Sequence, residues 1–150
     1  MYLYPVISKK SKYAINALVF LAKNQEKGPI PASTIAESEN IPPKFLEAIL
    51  LDLKKSGILS SKKGASGGYY LHQTAEEINM ADVMRLFDGA IAYLPCVTYK
   101  YYERCEECKD EVTCGIRDAF LDLRNKTVEM LKGNTLADLI NREHKLKEDR

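Results

Sequence analysis

The residues with the clearest chemical potential are four cysteines, which all lie in one short segment of the chain. Their spacing is Cys96-x8-Cys105-x2-Cys108-x5-Cys114. Clustered thiols suit iron–sulfur or zinc ligation, or redox chemistry, better than structural disulfides in a cytosolic chain. Zinc usually takes two separated pairs of ligands, and only Cys105 and Cys108 form a close pair here. The spacing therefore predicts a metal or cluster site, with a thiol redox switch or zinc as alternatives.

A thiol redox enzyme is the competing interpretation from another functional class. It would use Cys105-Glu106-Glu107-Cys108 as its reactive motif. Two acids inside the motif oppose a lowered thiol pKa, and no parallel βαβ pattern frames it. The sequence therefore predicts a binding protein and not an enzyme.

The elements before the cysteines indicate what such a sensor would control. Residues 42–55 have the basic, amphipathic pattern of a helix, and two prolines suit its first turn. Residues 58–62 and 68–72 predict two strands joined by a glycine-rich tip. A helix that fits a major groove, followed by a ribbon that reaches a neighbouring groove, is typical of a winged helix-turn-helix. This order predicts a protein that binds double-stranded DNA.

The candidate DNA-binding residues lie on the predicted first helix, the recognition helix and the wing. Lys44 can contact a phosphate or a guanine edge, and Glu47 can accept a hydrogen bond from a cytosine amino group. A solvated carboxylate is the alternative for Glu47. Lysines at the start of the first helix oppose its dipole, which a bound phosphate would relieve; an exposed lysine cluster is the alternative. The full set is Lys9, Lys12, Lys44, Phe45, Glu47, Lys62, Lys63, Gly64, Ser66 and Gly67.

Helical periodicity completes a mainly α fold with a two-stranded β wing. Further helices are predicted at residues 8–24, 32–37, 79–88 and about 111–132, then a short one from Thr135 to Ile140 and a frayed tail after Arg142. Ser8, Asn79 and Thr135 are predicted to cap their helices, and Cys114 would lie at the start of the long one. The helix at 111–132 carries an apolar stripe too broad for one small domain, so we expect it to pair with a second copy. We expect a DNA-binding domain at 1–75, a connecting helix and sensor loop at 76–110, and a dimerisation part at 111–150.

Charge is divided unevenly along the 150 residues, although the net charge is only +1. Residues 1–75 hold ten lysines against five acids, and residues 76–150 hold twelve basic against sixteen acidic residues. A basic first half offers a surface for phosphates. No apolar run reaches the roughly 18 residues of a membrane span. Residues 1–21 contain five lysine or serine positions, so we expect no signal peptide and a cytoplasmic protein.

Five segments together resemble the Rrf2 family of winged-helix regulators, which includes IscR, NsrR and CymR and responds to iron–sulfur status, nitric oxide or cysteine. The resemblance covers about residues 7–141. Its segments are SKKSKYA at 8–14, IPPKFLE at 41–47, KGASGGYYL at 63–71, CGIRDAF at 114–120 and TLADLI at 135–140.

The resemblance implies a dimeric transcription regulator, which we expect to be a repressor. It implies base reading by Glu47, and Lys63 replaces the usual wing arginine, which weakens contact with a narrow minor groove. Cys108 and Cys114 match the last two of three family cysteines, with Cys96 or Cys105 as the first. A metabolic enzyme is a possible partner, as for some members.

Two departures from the family concern the remaining ligand of the cluster. Some members place a histidine three residues after the last cysteine, where this chain has Arg117, and others recruit an acid from the partner's first helix, where it has Lys12. The resemblance therefore implies an all-cysteine iron–sulfur site, of the 2Fe–2S or 4Fe–4S type.

Overall fold

The fold is mainly helical, with one small antiparallel sheet. A computed structural model describes residues 7–150. In these residues the elements are α1 (Lys9–Lys23), α2 (Ala32–Glu39), α3 (Pro43–Lys55), β1 (Leu59–Lys62), β2 (Gly68–Leu71), α4 (Met80–Asp88), α5 (Gly115–Lys132) and α6 (Leu136–Glu148). Single 3-10 turns lie at Gln25–Lys27 and Pro95–Val97. The predicted winged helix-turn-helix order is confirmed.

The core lies among α1, α2, α3 and the wing, with further buried residues from α4 and the start of α6. The predicted cap Ser8 accepts a hydrogen bond from the Ser11 amide at 3.1 Å, which starts α1. The buried face of α3 consists of Leu46, Ile49, Leu50 and Leu53, spaced by three and four residues along the helix. This packing holds the opposite face of α3 toward solvent.

The wing is a regular hairpin that is also joined to the chain before α2. Its register pairs Leu59 with Leu71 and Lys62 with Gly68. Beyond the hairpin, Ile30 and Tyr69 exchange two backbone hydrogen bonds of 2.9 and 2.8 Å. A two-stranded ribbon is marginal alone, so this third segment gives the wing a fixed position.

The two C-terminal helices differ from the predicted bounds. The long helix begins at Gly115 rather than near residue 111, because the Asp110 side chain accepts from the Val112 amide and the Thr113 hydroxyl and holds a turn there. The prediction that the chain frays after Arg142 was wrong, since α6 continues to Glu148. A capping box between Thr135 and Asp138 starts α6.

The helix α5 contributes little to the core. Only Arg124 and Val128 of its residues are buried. Ile116, Leu123 and Met130, which recur every seven residues, are 66, 43 and 70 % exposed. Among the helices of the described residues, none combines the length and the apolar character that a membrane crossing needs. The expectation about a signal peptide extends to residues 1–6, which lie outside the described part.

Candidate nucleic-acid interface and cysteine loop

The recognition helix presents its predicted DNA-binding residues to solvent. Lys44, Phe45 and Glu47 are exposed near the N-terminus of α3. The Phe45 ring lies edge-on to Tyr13 of α1, with centroids 6.0 Å apart. Glu47 lines a groove between α2 and the start of α3, together with Glu37 on the facing helix. The arrangement leaves polar groups and helix ends free to meet a base edge or a phosphate.

Two lysines at the start of α1 are exposed, and a third forms an ion pair with another helix of the same chain. Lys9 and Lys12 are exposed. Lys10 instead lies 3.6 Å from the Asp52 carboxylate of α3 and over the Phe87 ring of α4. Both predicted cations of this helix therefore face outward.

A partly buried hydrogen bond that the sequence did not predict fixes α1 against α4. The fully buried Ser11 donates its hydroxyl to Asp88 at 2.8 Å, and the Ser8 amide donates to the same carboxylate. Seventy-seven residues separate Ser11 from Asp88. No local pattern could have revealed the contact, which links the lysine-bearing end of α1 to the end of α4.

The tip of the wing is shaped by glycines that leave no space for a side chain. A Cβ at Gly67 would lie 2.2 Å from the Lys62 carbonyl oxygen, and one at Gly68 would lie 2.2 Å from the Ile30 carbonyl carbon. Gly68 also has a φ of 151°, which L side chains rarely adopt. Around this turn Lys62, Lys63, Gly64 and Ser66 are exposed and Gly67 is half-buried. The tip is thus a narrow, basic ribbon.

The four cysteines line one cavity of about 360 Å³ at the start of α5. Cys96 is buried in the turn Pro95–Val97, Cys105 is exposed, and Cys108 and Cys114 are half-buried. Cys114 is the N-cap of α5, as expected, and its sulfur accepts a hydrogen bond from the Arg117 amide at 3.4 Å. The fold thus gathers residues from separate parts of the loop around one space.

The environment of two cysteines favours the protonated thiol. Cys105 donates its thiol proton to Glu107 at 2.9 Å, and this hydrogen bond raises the pKa of Cys105 above its ordinary value. Partial burial, and then the neighbouring Cys114, raise the pKa of Cys108. Raised pKa values oppose the low-pKa nucleophile of a thiol redox enzyme. A ligand that binds thiolates would have to displace these protons.

The donor set fits a thiolate-bound cluster, but its side chains do not form a closed site. Four sulfurs around one cavity match the ligands of an iron–sulfur cluster. Within residues 7–150, however, no three Cys, His, Asp or Glu side chains converge as a metal site. The Cys105 thiol is directed to Glu107, and Arg117 donates its Nε hydrogen to the Cys96 carbonyl oxygen at 3.3 Å. Closure of the site requires the loop to rearrange.

Comparison with known proteins assigns the chain to a family. The family model described as "Rrf2: Iron-dependent Transcriptional regulator" matches residues 7–142. The chain belongs to the Rrf2 family. It is 37 % identical to an rrf2-like HTH-type transcriptional regulator of Rhodobacter capsulatus, over 90 % of this chain and 92 % of that protein. The predicted membership and the prediction that the protein is not an enzyme are confirmed.

Solved structures of other Rrf2-type regulators have the same fold. CymR, the global cysteine regulator of B. subtilis, matches with a TM-score of 0.76 and 27 % identity, over 93 % of this chain and 98 % of that one. The IscR of T. potens matches with a TM-score of 0.70 and 25 % identity, over 92 % and 88 %. The protein is therefore a transcriptional regulator of the Rrf2, IscR and CymR type.

The structure shows where the three residues that depart from the family pattern lie. Arg117 lies on the first turn of α5 and lines the cysteine cavity. Its guanidinium donates to a backbone carbonyl and has no lone pair with which to bind a metal. Lys12 is an exposed cation on α1, and Lys63 is exposed at the wing. None of these three side chains supplies a metal ligand. The side chains around the cavity that could do so are the four cysteines and the glutamates Glu103, Glu106, Glu107 and Glu111.

Proposed function

We propose that this Rrf2-family regulator is a cytoplasmic homodimer that represses transcription by binding DNA and carries an iron–sulfur cluster in its cysteine loop. The observation that carries the proposal is the position of the four-cysteine cavity at the N-terminus of α5, a helix whose apolar face is exposed. Residues 1–75 would bind DNA, 76–110 would form the sensor, and 111–150 would form the dimer interface.

The DNA-binding part of the proposal rests on exposed positive charge on three elements. Lys44 is on α3, Lys63 is on the wing, and Lys9 is at the start of α1. Recognition helices of two protomers would enter successive major grooves, while the wings would reach the adjacent minor grooves. Lysine contacts to phosphate give affinity, and contacts by Glu47 to base edges would give sequence preference.

The dimer part of the proposal rests on the face formed by Ile116, Leu123 and Met130. Their heptad spacing is that of a helix–helix seam, and all three are exposed in the isolated chain. Burial of three large apolar side chains is favourable by a few kcal/mol in total, at about 25 cal/mol per Å². A second α5 in a two-fold arrangement would cover this face.

The sensor part of the proposal rests on the thiols around the cavity. Cys96, Cys105, Cys108 and Cys114 would hold the cluster, which supplies chemistry that responds to iron supply, oxidants or nitric oxide. Cys114 caps α5, so any rearrangement of the loop acts directly on the helix that sets the distance between the two protomers. Half-sites on DNA have a fixed separation, so a small change in that distance alters affinity.

Binding assays with single substitutions test the DNA-binding part. Lys63→Ala should weaken binding to target and scrambled duplexes alike and lower the salt slope by about one, as for loss of one phosphate contact. Glu47→Ala should relax base preference more than it lowers non-specific affinity. Lys132→Ala, at the exposed end of α5, is the matched control. Equal binding by all variants and the natural protein would contradict the assignments.

Anaerobic purification tests the sensor part. Absorption bands between about 300 and 600 nm, with iron and sulfide in stoichiometric amount, are the expected result for a cysteine-ligated cluster. Each of the Cys108→Ser and Cys114→Ser variants should lose those bands and keep the folded α-helical spectrum. Protein that contains only zinc, or no metal, would remove the cluster and leave the DNA-binding proposal intact.

A thiol sensor is the second candidate, and one contact favours it. Cys114 lies beside Cys108 and contributes to the raised pKa of the Cys108 thiol. Reversible loss of two titratable thiols after peroxide, in protein without iron, would support this alternative. Zinc in the same loop is another form of this alternative. Control by a metabolic-enzyme partner without a cluster is a separate alternative, which a pull-down tests.

A further inference from the structure

A second cavity, separate from the cysteine cavity, lies between the end of α4 and the middle of α5. Its volume is about 380 Å³, within the range of small-ligand sites. Three basic side chains line it, Arg85 from α4, Lys100 from the loop and Arg124 from α5, and no acidic residue does. Apart from Thr98, the remaining lining residues are small, apolar or aromatic, with Tyr99 and Tyr101 as the largest. The cavity therefore combines positive charge with apolar walls.

Arg124 is the unusual member of this set, because it is a buried cation without an anion. Its exposed fraction is 9 %, the lowest of any charged residue in the described part of the chain. Its Nη1 donates to the Asn125 amide oxygen at 2.8 Å, and its guanidinium lies 4.2 Å from the centroid of the Tyr99 ring. None of the ion pairs within residues 7–150 includes it.

A largely buried guanidinium without a carboxylate loses part of its hydration, which a neutral amide and a ring face replace only in part. Its donors without a partner keep contact with the solvent, since no buried side-chain nitrogen or oxygen of the described residues lacks a partner. Arginine presents five donors in a planar fork, and the contact with Asn125 uses one of them. The unused donors match the geometry of a carboxylate or a phosphate.

The two other cations are held near the cavity but are not neutralised. Arg85 is 3.9 Å from Asp82 one turn earlier on α4, a long and exposed ion pair. Lys100 lies 5.7 Å from the centroid of the Tyr101 ring. Three cations therefore surround an opening lined by aromatic rings, and among the described residues only Arg85 of the three has a carboxylate within 4 Å.

We infer that this cavity binds a small organic anion, one whose carboxylate or phosphate meets Arg124 and whose apolar or aromatic body packs on the tyrosines. The site goes beyond the proposed function, since it uses no cysteine and no DNA-binding residue. A bound anion would contact both α4 and α5. Its position beside Gly89 also puts it next to Asp88, which holds α1.

Nuclear magnetic resonance titration of the full chain with phenyl phosphate tests the inference. Phenol and inorganic phosphate are the matched probes, because each carries only one half of the ligand chemistry. The amide of Gly89 and the side-chain NH of Arg124 should shift in a saturable way with phenyl phosphate, with a Kd on the order of 1 mM. Neither half-probe should saturate at comparable concentration.

Substitutions at the rim keep the test independent of folding. Lys100→Met and Arg85→Gln should each weaken phenyl phosphate about tenfold, since each removes one charge-assisted contact. Arg124→Lys should weaken it at least as much, and Lys132→Met, outside the cavity, should leave it unchanged. Shifts that remain linear with concentration, or binding insensitive to all three cavity variants, would overturn the site. If Arg124→Lys weakened dimerisation while no probe bound, a partner's carboxylate would fill the cavity and the inference would be wrong.

Discussion

The winged-helix part and α5 differ in how far their apolar residues are buried. In α3, Leu46 and Leu53 are fully buried by contacts within the same chain. In α5, Ile116 and Met130 remain two-thirds exposed although they have the same helical periodicity. Periodicity alone therefore shows that a face must be covered, and only packing shows whether the chain covers it itself. The first region is complete in one copy, whereas the second leaves an apolar face exposed.

The same contrast extends to the loop that precedes α5. The wing is tied to distant residues, as in the exchange between Ile30 and Tyr69. The cysteine loop is held mainly by near neighbours, such as Arg104, which donates to the Cys108 carbonyl oxygen, and Asp110, which accepts from Thr113. Few long-range contacts make a segment easier to rearrange. This property would suit the loop to the proposed sensing and the wing to the proposed contact with DNA.

Truncation of one leucine in each region should give the largest difference, measured as the change in the free energy of unfolding. Leu53→Ala should lower the free energy of unfolding by roughly 2–5 kcal/mol, because a buried side chain leaves a cavity. Leu123→Ala should cost less than about 1 kcal/mol in dilute protein, where the residue is solvent-exposed, and more at concentrations that favour the dimer. Urea unfolding at two protein concentrations measures both. A cost for Leu123→Ala as large as that for Leu53→Ala in dilute protein would mean that α5 packs on its own domain.

Paired glycine substitutions should sharpen the contrast between wing and loop. Gly68→Ala forces a Cβ against the Ile30 carbonyl and imposes an unfavourable φ, so it should cost about 1–3 kcal/mol and lower DNA affinity about tenfold. Gly115→Ala has nothing within 4 Å of its Cβ and should stabilise α5 by roughly 0.5–1 kcal/mol. Thermal unfolding and fluorescence anisotropy follow the two variants. Unchanged DNA affinity in Gly68→Ala would show that wing position does not matter.

The smallest expected effect concerns the protonation of one thiol. Glu107→Gln removes the carboxylate that raises the pKa of Cys105, so the pKa should fall toward its ordinary value. Below that pKa the thiolate fraction then increases, and iodoacetamide should alkylate Cys105 faster at pH 8. Glu106→Gln is the matched control. Peptide mass spectrometry over a pH series measures the rate, and a slower reaction in Glu107→Gln would contradict the hydrogen bond.

Local signals in the sequence were sufficient for most of the fold. Ser8, Asn79 and Thr135 all cap the helices they were predicted to cap, because a cap is a contact between residues three apart. The end of α6 could not be predicted from such local signals. An ion pair between Glu143 and Lys23 of α1, and a second with Lys147, stabilise the part that was predicted to fray. The first of these contacts joins residues 120 positions apart, so no local pattern could reveal it.

The candidate sites also combine features that are local in the sequence with contacts that depend on tertiary packing. The wing and the cluster of cysteines could be predicted from the sequence, because glycine turns and thiol spacing are local features. The burial of Arg124, the hydrogen bond between Ser11 and Asp88, and the carbonyl partner of Arg117 were not, since each depends on tertiary packing. Contact of the ten predicted residues with DNA remains a prediction.

The central claim is that two copies of the chain present α3 and the wing side by side to one duplex. Its most direct test is the stoichiometry of the complex with a duplex selected from a random library, measured by analytical ultracentrifugation. We predict two chains per duplex, a two-fold symmetric sequence with half-sites one helical turn or a multiple of it apart, and loss of this complex in the Ile116→Asp, Leu123→Asp double variant. A single chain per duplex with full affinity, or an unchanged complex in the double variant, would contradict the account.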